Sequence, residues 1–167
     1  GAAGGFPGWI SEHISLIKTH SFLNASPNTQ KGPFPLLIFS HGITGMRQIH
    51  TSVIEELTSN GYVVVGIDHP YDCNLTIFED GSMADYRSDI TGHPDSVQIR
   101  NKQLKTRVGD ISFVLDKLTL LNNSFYFNNI IDLSLTGVLG HSYGGASAIN
   151  ASFVDPRIKA CLALDSW

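Results

Sequence analysis

Apolar residues along this chain fall into two kinds of run. Four are short and nearly continuous: residues 34–40 (Phe-Pro-Leu-Leu-Ile-Phe-Ser), 62–67 (Tyr-Val-Val-Val-Gly-Ile), 133–139 (Leu-Ser-Leu-Thr-Gly-Val-Leu) and 158–164 (Ile-Lys-Ala-Cys-Leu-Ala-Leu). Short runs rich in branched residues and bounded by turn formers predict buried strands. Two other segments carry helical spacing. Over 47–59, Ile49, Val53, Ile54 and Leu57 fall on one side, and Asn60-Gly61 stops the helix. Over 95–121, Leu104, Val108, Ile111, Leu115 and Leu118 form one stripe, with Lys102, Lys105, Asp116 and Lys117 off it. The small-residue segment Gly145–Ala151 is helix-compatible, and Asp155-Pro156 breaks it.

The remaining segments carry weaker patterns. Residues 9–19 predict a short helix running into an extended piece near His20–Leu23. Residues 26–33 are a turn by composition. Residues 71–94 are polar and turn-rich without a period, a long connection of the kind that builds lids and rims.

Strands alternate with helices, and most strands are apolar throughout. That predicts an α/β fold, a mostly parallel sheet with helices on both faces. The strand at 135–140 is expected at its centre, flanked by those at 62–67 and 160–164. Functional residues of such a sheet collect beyond the carboxyl ends of its strands. His41, Asp68, His69, Ser142 and Asp165 all fall just past predicted strand ends.

Composition narrows the function. The chain has 167 residues, enough for one domain. A net charge of -4 without a basic patch argues against nucleic acid as partner. No apolar run is long enough to span a bilayer. No Gly-rich phosphate fingerprint follows a strand, so no nucleotide cofactor is expected. Cys161, in an apolar run, is expected to be a small core residue, and Cys73 a loop residue.

The chemistry centres on Gly140-His141-Ser142-Tyr143-Gly144, a Gly-x-Ser-x-Gly between a predicted strand and a predicted helix. Strand, sharp turn and helix make this motif a nucleophile elbow. The Ser hydroxyl stands clear at the tip, and the flanking glycines leave no Cβ where strand and helix pass closest. The helix aims its free N–H groups at a developing oxyanion. Such a Ser needs a base and an acid to hold that base. Asp165, on the strand after the nucleophile helix, is the best acid; Asp155 and Asp132 read as turn aspartates. The Ile43 and Tyr143 backbone N–H groups are the expected oxyanion donors. His41 and His141 flank these donors and are expected to brace the loops. The base is the difficulty. The order in such folds is Ser, acid, His, yet no His follows Asp165. His69 is the one internal candidate.

These residues carry a resemblance to a known family. Residues 32–42, 60–72, Arg100–Leu104, Gly140–Ala146, Asp155–Ala160 and Leu164–Trp167 together resemble the platelet-activating factor acetylhydrolase family, especially its bacterial members, within the alpha/beta-hydrolase superfamily. The resemblance covers about residues 19–167 and implies Ser142 as nucleophile, Asp165 as triad acid and a His from a later strand and loop. It implies hydrolysis of short or oxidised acyl esters without metal or cofactor. The chain is therefore expected to be the N-terminal portion of a single hydrolase domain, with 1–18 a leader and 19–167 the core. The leading expectation is a serine carboxylic-ester hydrolase working through an acyl-enzyme on a small-molecule or lipid ester. A cutinase- or lipase-like hydrolase of longer esters is the alternative enzyme. A non-catalytic binding protein on a truncated hydrolase fold is the alternative of another class.

Overall fold

The computed structural model describes residues 16–166. A four-stranded, wholly parallel sheet organises them: β1 (Phe34–Ser40), β2 (Val63–Ile67), β5 (Ile131–His141) and β6 (Ile158–Leu164), in the order β2-β1-β5-β6. A short antiparallel hairpin, β3 (Leu75–Ile77) and β4 (Met83–Asp85), stands apart from it. A 3-10 turn, Arg47–His50, leads into α1 (Thr51–Ser59); α2 (Ser96–Asn122) and α3 (Tyr143–Val154) are the other long helices among the described residues.

The central strand is the expected one, but one neighbour differs. β5 lies between β1 and β6, whereas β2 pairs only with β1 at the edge. α1 carries the chain from β1 to β2 on one side. The long α2 then carries it back past β1, so β5 lands on β1's free edge. Parallel strands need such crossovers, and a 27-residue helix is long enough to skip a strand. The apolar run at 62–67 shows that β2 is partly covered, not that it touches β5.

The core follows from this order. Leu36 and Ile38 of β1, Val138 of β5, and Val108, Ile111, Leu115 and Leu118 of α2 pack in one cluster with Ala148 and Ala151 of α3. The predicted α2 stripe is thus the face that docks on the sheet. α1 buries no residue completely: Ile54 and Leu57 are half-buried, while Ile49 and Val53 are exposed. Burial on both faces holds for the carboxyl-terminal halves of β1 and β5, not for β6, where Leu162 and Leu164 are exposed.

Two other expectations change, and a third lies mostly outside the described residues. Cys161 is exposed on β6, and the loop residue Cys73 is fully buried, with its Sγ 2.9 Å from Thr76 Oγ1. The connection 71–94 holds the β3–β4 hairpin where no element was expected. Of the predicted helix at 9–19, residues 9–15 lie outside the described residues, and 17–23 form neither helix nor strand.

Candidate active site

Strand register aligns the four carboxyl ends. Ser40 pairs with Ile67 and with Gly140, and His141 pairs with Leu164. The next residues, His41, Asp68, Ser142 and Asp165, therefore share one rim. Backbone strain gathers there. Thr44, Tyr71, Ser142 and Asp165 are non-glycine residues at positive φ, in the loops after β1, β2, β5 and β6. Each such residue costs about 1–3 kcal/mol and persists only where its surroundings hold it.

Ser142 is the most constrained of these. It sits at φ 54° and ψ -123°, at the head of α3. Its N–H donates to Leu164 O at 2.9 Å, and its carbonyl accepts from Gly145 and Ala146 at 2.9 and 3.2 Å. A Cβ on Gly140 would stand 2.2 Å from Gly144 O, and one on Gly144 would stand 2.1 Å from Ser40 O. Neither position admits a side chain, which is the physical content of the Gly-x-Ser-x-Gly spacing. Gly42 packs against the turn from the other side, since its missing Cβ would lie 3.3 Å from Ser142 Cβ. Ser142 is partly exposed, and its hydroxyl makes no hydrogen bond among the described residues.

Asp165 follows the Leu164 carbonyl that holds Ser142, so the two are neighbours along the rim. Its side chain is exposed. Asp155 is a turn residue, as expected. Arg157 donates to it from Nε and Nη2 at 2.8 and 2.6 Å, which holds its carboxyl down to about 2. Asp132 lies within β5, beside its register irregularity, rather than in a loop, and accepts from the Ser134 N–H and hydroxyl.

The histidines divide by burial. His41 is fully buried. Its Nε2 accepts from the His69 backbone N–H at 3.1 Å, so its proton lies on Nδ1, which donates to Gly42 O at 2.6 Å. Burial holds this imidazole neutral, with its pKa lowered to about 3. His141 is exposed, its ring 5.9 Å from that of His50. His69 is buried and committed elsewhere. Nδ1 donates to Asp110 Oδ2 at 2.7 Å, and Nε2 accepts from Ser40 Oγ at 2.9 Å. This hydroxyl–imidazole–carboxylate chain has the connectivity of a triad, but Ser40 and His69 are both sealed from solvent. Burial lowers the His69 pKa against the pull of Asp110. Asp68 anchors the turn after β1, accepting from Arg47 N and Nη1 at 2.8 and 2.6 Å.

Sequence reading missed Arg107. It is fully buried under the rim, where Nε donates to Asp72 Oδ2 at 2.7 Å and Nη1 to His41 O at 2.6 Å. The signal was present: 107 lies at i+3 from Leu104 and i-4 from Ile111, so a charge interrupts the apolar stripe. A cation on a buried stripe needs a partner waiting for it.

A cleft of about 840 Å³ opens at the opposite rim, lined by Phe34, Tyr62, Tyr126 and Phe127 among others. It lies at the amino ends of β1 and β2, away from Ser142. Among the described residues no three His, Cys, Asp or Glu are grouped to hold a metal ion, and no helix is long and apolar enough to cross a membrane.

Comparison with known proteins joins this geometry to a family. The family model described as platelet-activating factor acetylhydrolase, isoform II, matches residues 10–167. The chain belongs to that family. It is 27% identical over 164 residues to the platelet-activating factor acetylhydrolase of Canis lupus familiaris, covering 85% of this chain and 37% of that protein. It is 30% identical over 162 residues to that of Cavia porcellus, with coverages of 85% and 37%. The chain thus spans less than two-fifths of the length of these acetylhydrolases. A ferulic acid esterase from Streptomyces cinnamoneus superposes with a TM-score of 0.73 at 30% identity, over 87% of this chain and 39% of the esterase. The fold is that of the alpha/beta hydrolases.

Proposed function

We propose that this chain carries the nucleophile of a serine carboxylic-ester hydrolase, with Ser142 as that nucleophile. One observation carries the reading: Ser142 is held at positive φ at the head of α3, between Gly42 and the Leu164 carbonyl. Its Oγ attacks the ester carbonyl, the acyl-enzyme forms, and water releases the acid. The Tyr143 N–H in the first turn of α3 and the Ile43 N–H after β1 receive the oxyanion. Asp165 orients the base. His41 braces the donor loop from within, and His141 borders it at the surface. Family membership supports a small acyl ester, short-chain or of phospholipid type, as substrate.

The base in this reading is a histidine that residues 16–166 do not supply. His41 and His69 spend their ring nitrogens on Gly42, the His69 backbone, Ser40 and Asp110. Ser142 Oγ has no imidazole partner among the described residues.

The test uses the protein at its natural length, with a short-chain chromogenic ester and a fluorophosphonate probe. Ser142→Ala should lower turnover by about 10⁴-fold or more and abolish labelling, with unchanged circular dichroism. Activity within a few-fold of the parent sinks the assignment.

A further inference from the structure

The Arg107 guanidinium meets the loop that carries one expected oxyanion donor and the side chain of the other. On one side Nη1 holds the His41 carbonyl at 2.6 Å, and Nε pairs with Asp72 at 2.7 Å. On the other, its centre lies 4.8 Å from the centroid of the Tyr143 ring. We propose that Arg107 is a positioning residue that holds the Ile43 and Tyr143 N–H groups in register for the oxyanion. This deepens the reading of Ser142 as nucleophile and rests on it.

Asp72 makes the Arg107 contact a clamp. Its backbone carbonyl accepts from Thr44 N–H at 3.0 Å, and its Oδ1 accepts from Ser88 Oγ. Arg107 therefore fixes the donor loop at residue 41 directly, and at residue 44 through Asp72. Between these points lies the Gly42–Ile43 peptide. His41 Nδ1–H pins its carbonyl at 2.6 Å. In a trans peptide C=O and N–H point in opposite directions, so drawing the Gly42 carbonyl to the His41 ring turns the Ile43 N–H away from it. The His41 ring can do this only while its own backbone is held, and Arg107 holds it.

The second donor is tied to the same helix. Tyr143 lies under the guanidinium, and its hydroxyl donates to Arg100 O at 2.6 Å. Arg100 and Arg107 are both on α2. One helix thus sets the first turn of α3 and the loop after β1 against each other.

Stability alone is a poor reason for such a residue. A buried ion pair loses hydration on both partners, and an apolar replacement of similar volume is often as stable. The Arg fork does what a Lys point charge cannot: it meets two separate acceptors with a flat face left for a ring. Nη2 has no hydrogen-bond partner among the described residues.

The test is steady-state kinetics of Arg107→Lys and Arg107→Gln in the natural-length protein, using p-nitrophenyl acetate. Endpoint labelling with a fluorophosphonate counts the competent Ser142 sites, so unfolded protein drops out. Positioning predicts kcat per labelled site down about 10- to 100-fold, with KM within about threefold. It also predicts an equal loss of affinity for an alkyl trifluoromethyl ketone, which binds as a tetrahedral adduct. If kcat per site stays within twofold of the parent in both variants, or if only KM changes, the proposal is overturned. Should neither variant fold, Asp72→Asn decides, because it keeps the shape and removes the charge that Arg107 Nε meets. It should show the same split at about 3- to 10-fold, and an unchanged kcat overturns the proposal. Hydrolysis persisting in Ser142→Ala defeats the nucleophile reading instead, a separate result from a normal kcat in the Arg107 variants.

Discussion

Two glycines show how local geometry decides the outcome of one substitution. Gly144 lies where strand and helix cross, and an added Cβ would stand 2.1 Å from Ser40 O and 2.5 Å from His41 O. Backbone atoms at that distance cannot step aside as a side-chain tip can. Gly144→Ala should cost about 3 kcal/mol or more, or prevent folding. Gly109 lies mid-helix in α2, exposed, and a Cβ added there would meet nothing within 4 Å. There the only effect is helix propensity and a less flexible unfolded chain, so Gly109→Ala should stabilise by about 0.5–1 kcal/mol. Urea unfolding of the two variants checks both signs. Equal shifts would show that the crossing at Gly144 is looser than its contacts imply.

At the scale of elements, α2 organises the site from behind. It crosses from β2 to β5, buries Ile111 and Leu115 against the sheet, and carries Arg107 and Asp110 to the rim. Its last residue fixes where β5 begins. Asn122 is buried; its Nδ2 donates to Ile131 O at 2.9 Å, and its Oδ1 accepts from Ile131 N at 3.0 Å. The side chain thus imitates a neighbouring strand for one residue. Asn122→Ala removes both bonds and leaves a buried N–H and C=O without these partners. The expected loss is about 2–4 kcal/mol. Hydrogen exchange should show the Ile131 amide losing protection before those of Val138 and Leu139. Unchanged protection at Ile131 would mean that strand pairing alone holds that end.

The whole molecule carries a pH dependence set by its buried imidazoles. His41 has its pKa lowered to about 3 by burial, and His69 is lowered for the same reason. Between the folded values and the unfolded value of 6.5, the unfolded chain binds more protons than the folded one. Stability is then fully present above about pH 6.5 and falls as pH drops toward 3. Asp155, held at about 2, loses its contribution only below its ordinary value of 3.8, so it does not act in the upper part of that window. Urea midpoints should fall steadily from pH 7 to about pH 4.5. His41→Asn should be less stable at pH 7 yet show a shallower slope. A slope unchanged by that substitution would mean that His41 does not set the dependence.

Hydrophobic patterning located the main strands and helices, and glycine spacing the elbow, but neither located the β3–β4 hairpin. Hydrophobic periodicity placed β1, α2 and β6 to within a residue, because these segments meet one rule along their length. The spacing of Gly140 and Gly144 around Ser142 was legible for a similar reason: close backbone approach leaves glycine as the only choice. Neighbour relations were not legible. An apolar run reports that a strand is covered and not by what, so β2 beside β1 and exposed Cys161 on β6 emerged only in three dimensions. The same holds for His69, whose place after a strand suggested a catalytic base. Its partners, Ser40 and Asp110, lie 29 and 41 residues away along the chain. Arg107 joins loops that its own helix never touches in sequence. Such contacts depend on which faces the crossover brings together, and only the folded chain decides that.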